Sequence, residues 1–161
     1  MEIRAGTQSD YEPAVDVWRA ASTARRSGER PPTHHENRIR GSMAKLDAFL
    51  VVADDDKAII GMALGIQANA DDGAGPPIAG LCHVSAVFVA SQRWGQGIGR
   101  HLVEALLDHA RLRGYSAAQL WTHADNQRAQ RLYDGMGFRR STREHDDQGE
   151  VIVQYQRSNL K

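Results

Sequence analysis

The chain has a single cysteine, Cys82, no surplus of either charge and no long apolar run. One cysteine excludes an internal disulfide and any cysteine-cluster zinc site. Without about 18 consecutive apolar residues no spanning helix is expected. The opening "MEIRAGTQSD" has no basic stretch followed by an apolar one, so no secretory signal is expected and the cytoplasm is the simplest compartment. Twenty Lys and Arg balance twenty Asp and Glu. That balance argues against broad nucleic-acid binding, which runs on excess positive charge. Two phosphate-loop patterns are also missing. A G-x-G-x-x-G fingerprint beginning at Gly97 would need its third glycine at Leu102, and G-x-x-x-x-G-K-[ST] occurs nowhere.

What is present suits one domain spanning residues 1–161, since 161 residues with 41% apolar content can bury one core. Patterning predicts strands over 2–6, 48–54, 58–68, 78–90, 115–124, 138–145 and 150–157. Helices are predicted over 9–26, 33–46, 97–113 and 126–136. Ser9 or Asp10 is expected to cap the first helix. Thr33, with Glu36 three residues on, is expected to cap the second. The order β-α-α-β-β-β-α-β-α-β-β implies a mixed α/β fold around one sheet. His34, His35 and Glu36 look like metal ligands, but adjacent histidines rarely converge on one ion, so no metal is expected.

The stretch "WGQGIGRHLVEALLDHA" (94–110) places glycines at 95, 97 and 99 where an amphipathic helix begins. Each glycine costs a helix about 0.5–1 kcal/mol relative to alanine. A helix start, however, offers unpaired N–H groups and partial positive charge, which suit a phosphate. Glycines there remove Cβ atoms and let the backbone close around an anion. The bland alternative is a tight strand-to-helix turn.

A second motif, "NQRAQRLYDGMGF" (126–138), supplies N-x-x-A-x-x-x-Y-x-x-x-G-F. With "VFVASQRWGQGIG" (87–99) it resembles the GNAT superfamily of acetyl-CoA-dependent N-acetyltransferases. The resemblance is tight from about residue 80 to 138. Gly97 and Gly99 match the family's (Q/R)-x-x-G-x-G/A signature, but its leading Gln or Arg falls on Trp94, a departure. Arg93, Gln96 and Arg100 are the nearby polar residues that could compensate. The resemblance implies an α/β fold with a sheet of about seven strands, mostly antiparallel and splayed between the fourth and fifth, flanked by about four helices. It implies acetyl-CoA as cosubstrate. The pantetheine would pair with the backbone of Phe88 and Val89, and the pyrophosphate would sit on the amides of Trp94, Gly95, Gln96, Gly97, Ile98, Gly99 and Arg100. Asn126 would cap the following helix and reach the pantetheine side.

Acetyl transfer needs a neutral amine, an oxyanion donor and a proton for the departing thiolate. An amine of pKa near 10.4 is neutral in only roughly one molecule in 2,500 at pH 7. The resemblance implies Tyr133 as general acid and the Val89 N–H as carbonyl polariser; from spacing alone Tyr133 reads as a helix-face core residue. No acid lies between Ile78 and Val89 where many members carry a glutamate. His83, with Ser85 on the same strand face, is the candidate base, and equally readable as a structural histidine. His123 and a water chain are the alternatives. Cys82 points to the opposite face, against an acyl-cysteine route. Trp18, Trp94 and Trp121 read as packing residues. The expected partner is a primary amine on a small molecule or a peptide, with no nucleic acid and no membrane. A second copy of the chain is a further expected partner, since dimers are common in the family. A module that binds acetyl-CoA without turnover is the alternative from another class.

Overall fold

The computed structural model describes residues 1–160. Its elements are β1 (Glu2–Ala5), α1 (Tyr11–Arg25), α2 (Thr33–Met43), β2 (Phe49–Asp54), β3 (Ile59–Asn69), β4 (Pro77–Val89), α3 (Ile98–Leu112), β5 (Ala117–His123), α4 (Gln127–Gly135), β6 (Arg139–Asp147) and β7 (Glu150–Arg157). This is the expected order. The strands share one hydrogen-bonded sheet, in the order β1-β2-β3-β4-β5-β7-β6. The β1–β2, β2–β3, β5–β7 and β6–β7 pairs are antiparallel and β4–β5 is parallel. The β4–β5 ladder joins Leu81–Val84 to Ala117–Leu120, and the strands run on beyond it to Val89 and His123. Among the described residues no helix is long and apolar enough to cross a membrane.

The chain divides into two compact units, Met1–Ile66 with Ser85–Asp108, and Gln67–Val84 with His109 onward. In the first, β2 is buried from Phe49 to Ala53. A strand covered on both faces reads as a continuous apolar run, which is how "FLVVA" reads. The core joins Val15 and Trp18 of α1, Ile39 and Met43 of α2, and Leu50 and Met62 of the central strands. The spacing of Ala14, Val15, Val17, Trp18 and Ala21 gives α1 one apolar stripe facing that core. A Cβ at Gly61 would lie 2.9 Å from Leu102 Cδ1, so glycine there lets α3 approach β3.

Two caps differ from expectation. Asp10 does not cap α1 with its side chain. Its carboxylate turns back to accept from the Thr7 N–H at 2.8 Å and from the Arg4 guanidinium at 2.8 Å. Arg4 also donates to Asp54 at 3.1 Å, tying the start of α1 to β1 and β2. Thr33 is the first helical residue of α2, not its cap; Pro32 precedes it with φ −58 and ψ 146 and supplies no side-chain acceptor. Glu36 is drawn away from the helix start by Arg19 at 2.9 Å and Arg40 at 3.1 Å. The helix ends at Met43, short of the expected 46, and Leu46 is exposed.

In the second unit, β5 lies between β4 and β7. Its side chains alternate strictly. Ala118, Leu120 and Thr122 are buried, while Ala117, Gln119, Trp121 and His123 are half-buried on the other face. On β6, Arg140 pairs with Tyr155 and Glu144 with Val153, so four steps on β6 match two on β7. Such a bulge redirects side chains locally, and Ser141 sits in it.

The hydrogen bond from Arg4 holds the nearly buried Asp10 carboxyl down to about 2, against 3.8 ordinarily. A carboxyl with a depressed folded-state pKa stabilises above its unfolded pKa, and the contribution is lost as pH falls through the folded value. Asp10→Ala is expected to cost about 2 kcal/mol at pH 7, since it removes charge-assisted hydrogen bonds and strands Arg4. Urea unfolding should show that deficit shrinking between about pH 4 and pH 2.

Candidate active site

The glycine loop begins where β4 ends. Ala90 N–H donates to the Ile60 carbonyl at 2.8 Å, Arg93 N–H to Ala90 at 2.9 Å and Trp94 N–H to Ser91 at 3.3 Å. Ordinary helical pairing starts at His101, whose N–H reaches the Gly97 carbonyl at 3.2 Å. Between these points the amides of Gly95, Gln96, Gly97, Ile98, Gly99 and Arg100 donate to no acceptor among the described residues. A helix start leaves such donors without intrahelical partners, and side-chain caps usually take some of them. None does so here.

Gly95 and Gly97 have φ of +80° and +79°. That left-handed conformation favours glycine. A Cβ built at either position would meet nothing within 4 Å. Glycine is therefore required by the backbone path, and the space beside it is open. Ile98, at 3% exposure, anchors the first turn of α3. Nearby side chains are already engaged. Arg93 Nε donates to Gln96 Oε1 at 3.0 Å and approaches Asp55 at 3.5 Å, and Arg100 pairs with Glu104 at 3.1 Å. Trp94 does more than pack, because its indole N–H donates to the Val89 carbonyl at 2.8 Å. Phe88 packs against the apolar core of its unit.

In the second unit, Asn126 caps α4, accepting from the Ala129 N–H at 3.2 Å. Tyr133 lies on the buried face of α4, with ring centroids 5.7 Å from Phe138 and 6.1 Å from Tyr155. Its hydroxyl has no hydrogen-bond partner among the described residues. Burial pushes its ionisation well above the usual tyrosine range, so the phenol keeps its proton at any physiological pH. His83 Nδ1 stands 3.4 Å from Gln119 Nε2, and His123 Nδ1 is 3.7 Å from Glu150. Cys82 is buried on the strand face opposite His83. In the first unit, Glu36 is occupied by two arginines, and His34 and His35 meet edge to face at 4.3 Å.

Sequence reasoning missed two features. Trp121 is not simply packed: Arg143 lies 5.4 Å from its ring centroid and His145 4.9 Å, and both contact Asp72, at 2.7 and 2.9 Å. Although partial burial opposes it, the hydrogen bonds from Arg143 and His145 hold the Asp72 carboxyl below its ordinary value. The other is a row of polar side chains from Ser141 to His83. Neither leaves a local trace, because the partners are more than ten residues apart in sequence.

A mixed sheet carrying a glycine-built, amide-lined helix start defines a class of α/β protein suited to a phosphate-bearing ligand. The model of the acetyltransferase (GNAT) family matches residues 11–138, and the chain belongs to that family. It is 37% identical over 90 residues to "Probable N-acetyltransferase family 8 member 5" of Mus musculus, a stretch covering 56% of this chain and 38% of that protein. The chain thus matches well under half the length of that relative. Among solved structures, the PaiA N-acetyltransferase of Thermoplasma acidophilum in complex with coenzyme A has a TM-score of 0.69 at 19% identity, covering 95% of this chain and 96% of that one. The ribosomal-protein-S18-alanine N-acetyltransferase of Escherichia coli has a TM-score of 0.69 at 18% identity, covering 97% and 92%. At such identities these structures share the fold.

Gly95→Ala tests the backbone requirement. It introduces no clash, so the expected cost is conformational, about 1 kcal/mol. Chemical denaturation should read it; a neutral or stabilising alanine would mean that the left-handed path is not needed.

Proposed function

We propose that the protein is an N-acetyltransferase that moves the acetyl group of acetyl-CoA to a primary amine of a small molecule by direct attack. The observation that carries this reading is the run of six unpartnered amides from Gly95 to Arg100 at the start of α3. Backbone N–H groups left without acceptors at a helix N-terminus match a pyrophosphate in both charge and geometry. The curated relative and the two solved neighbours carry acetyltransferase names, and one of those neighbours holds coenzyme A.

In this reading the diphosphate rests on Gly95, Gln96, Gly97, Ile98, Gly99 and Arg100, and the pantetheine follows the backbone of Phe88 and Val89. The Val89 carbonyl already accepts from Trp94. The part of Val89 left for the thioester is its N–H, as carbonyl polariser. Asn126 spends its side chain on capping α4, so its part is to orient that helix and Tyr133 on it.

The amine nitrogen attacks the thioester carbonyl. The C–N bond forms, the C–S bond breaks, and the amine's proton passes to a base. His83 is the proposed base, near-neutral imidazole being suited to that task. A thiol pKa of about 8.5 makes the leaving sulfur a modest base that a donor can assist. Tyr133 is the proposed donor. Its burial keeps the phenol protonated, and its hydroxyl has no competing protein acceptor among the described residues. The proposed compartment is the cytoplasm.

Two variants test the reading. Gly97→Glu places a carboxylate among the amides and should abolish coenzyme A binding in calorimetry; normal affinity in a folded variant would remove the loop from the site. Tyr133→Phe should lower kcat by about 100-fold or more, the usual worth of a positioned acid, with coenzyme affinity nearly unchanged. Unaltered turnover would remove Tyr133 from the chemistry. Thiol release against a panel of small amines and peptides identifies the acceptor, and tight coenzyme binding with no release for any acceptor would favour a sensor over an enzyme.

A further inference from the structure

Four polar side chains of the second unit form a continuous row ending at His83. Arg143 N–H donates to Ser141 Oγ at 3.1 Å, and Ser141 Oγ–H donates to Gln154 Oε1 at 2.9 Å. Gln154 Nε2 donates to Gln119 Oε1 at 3.4 Å, and Gln119 Nε2 faces His83 Nδ1 at 3.4 Å. The sheet builds this row. His83 and Gln119 are register partners across β4 and β5, Gln154 pairs with Trp121 beside Gln119, and the β6 bulge aims Ser141 at Gln154.

A glutamine amide accepts at one end and donates at the other, so each link fixes the direction of the next. Turning one amide alone would set carbonyl against carbonyl or NH2 against NH2. Gln154 is 1% exposed, so water cannot repair such a mismatch, and a buried unsatisfied polar group costs about 1–3 kcal/mol. The row therefore has two consistent directions, forward and fully reversed. Ser141 favours the forward one. Its oxygen already accepts from Arg143, and its one hydrogen needs an acceptor, which Gln154 Oε1 supplies. Reversal would fill the oxygen's second lone pair with Gln154 Nε2 and hand the half-buried hydroxyl's hydrogen to water, exchanging the 2.9 Å bond to Gln154 for one to solvent.

We propose that Ser141, Gln154 and Gln119 form a directional relay that fixes neutral His83 as the Nε2–H tautomer, so that proton uptake by His83 requires both glutamine amides to reverse. In the forward direction Gln119 donates to Nδ1, which must then hold the lone pair, leaving the hydrogen on Nε2. Imidazolium carries hydrogens on both nitrogens and cannot accept from Gln119. Gln119, Gln154 and Ser141 are thus positioning residues, acting through His83. The bearing on catalysis rests on the acetyltransferase reading: a His83 base would work only with the relay reversed. The relay itself does not depend on that reading.

The test is long-range 1H–15N correlation of the histidine rings in the whole protein at pH 8.5, with His83 assigned by comparison with His83→Gln. In the unaltered protein a pyridine-type Nδ1 and a pyrrole-type Nε2 are expected. Ser141→Ala, which removes only the group that sets direction, should move both nitrogens toward averaged shifts. Gln119→Glu, whose carboxylate can only accept at neutral pH and above, should put the hydrogen on Nδ1. A pyrrole-type Nδ1 or averaged shifts in the unaltered protein would overturn the proposal. So would a His83 spectrum unchanged in both variants, with backbone amide spectra showing each one folded. Coenzyme binding and thiol release are measured separately, so failure of the tautomer assignment and failure of the acetyltransferase reading give different results.

Discussion

Six backbone N–H groups without acceptors set the terms for the first unit. Backbone donors are strong and seldom left unpaired, yet from Gly95 to Arg100 the chain supplies no partner among the described residues. The left-handed turns at Gly95 and Gly97 spread these donors along an open surface. Glycine at a helix start looks costly, at about 0.5–1 kcal/mol each. The opposing contribution is larger. Ile98, Leu102, Val103, Leu106, Leu107 and Ala110 are all at most 3% exposed. Each fully buried Ile, Leu or Val contributes about 1.5–3 kcal/mol. α3 is held by that stripe rather than by its own propensity, which leaves its first turn free to serve a ligand.

Tyr133 illustrates a related trade in the second unit. A phenol inside an apolar cluster is expected to find a hydrogen-bond partner, and among the described residues this one has none. Its ring packs with Phe138 and Tyr155, which accounts for the position as core. Its hydroxyl is the part that core packing does not explain. Burial alone makes it a poorer acid by free energy but guarantees that the hydrogen is present.

Legibility in the sequence followed the range of the interactions. The order of elements was readable because helices and strands declare themselves by local period, and the glycine loop because φ constraints act on single residues. Gly114 and Gly137 marked helix ends for the same reason, with φ of +93° and +84°. The caps misled where an arginine competed with the helix start for the carboxylate: Arg4 took Asp10, and Arg19 with Arg40 took Glu36. The Asp72 contacts to Arg143 and His145 join residues more than seventy positions apart. No window along the chain contains both ends of such a pair, so no pattern could announce them.

The polar row ending at His83 and the apolar face behind it are two consequences of one register. Strand side chains alternate, so a slip of one residue would exchange the faces. On β5 the apolar set Ala118 and Leu120 fixes that register, pairing with Arg157 and Tyr155 of β7 while Cys82 and Val84 lie alongside on β4. Burying those residues necessarily turns Gln119 toward His83 and brings Gln154 beside it. A slipped strand would put Gln119 into the apolar layer without partners, at about 1–3 kcal/mol for each stranded group. The hydrophobic face thus supplies the energy that selects the register, and the polar face inherits its geometry from that choice.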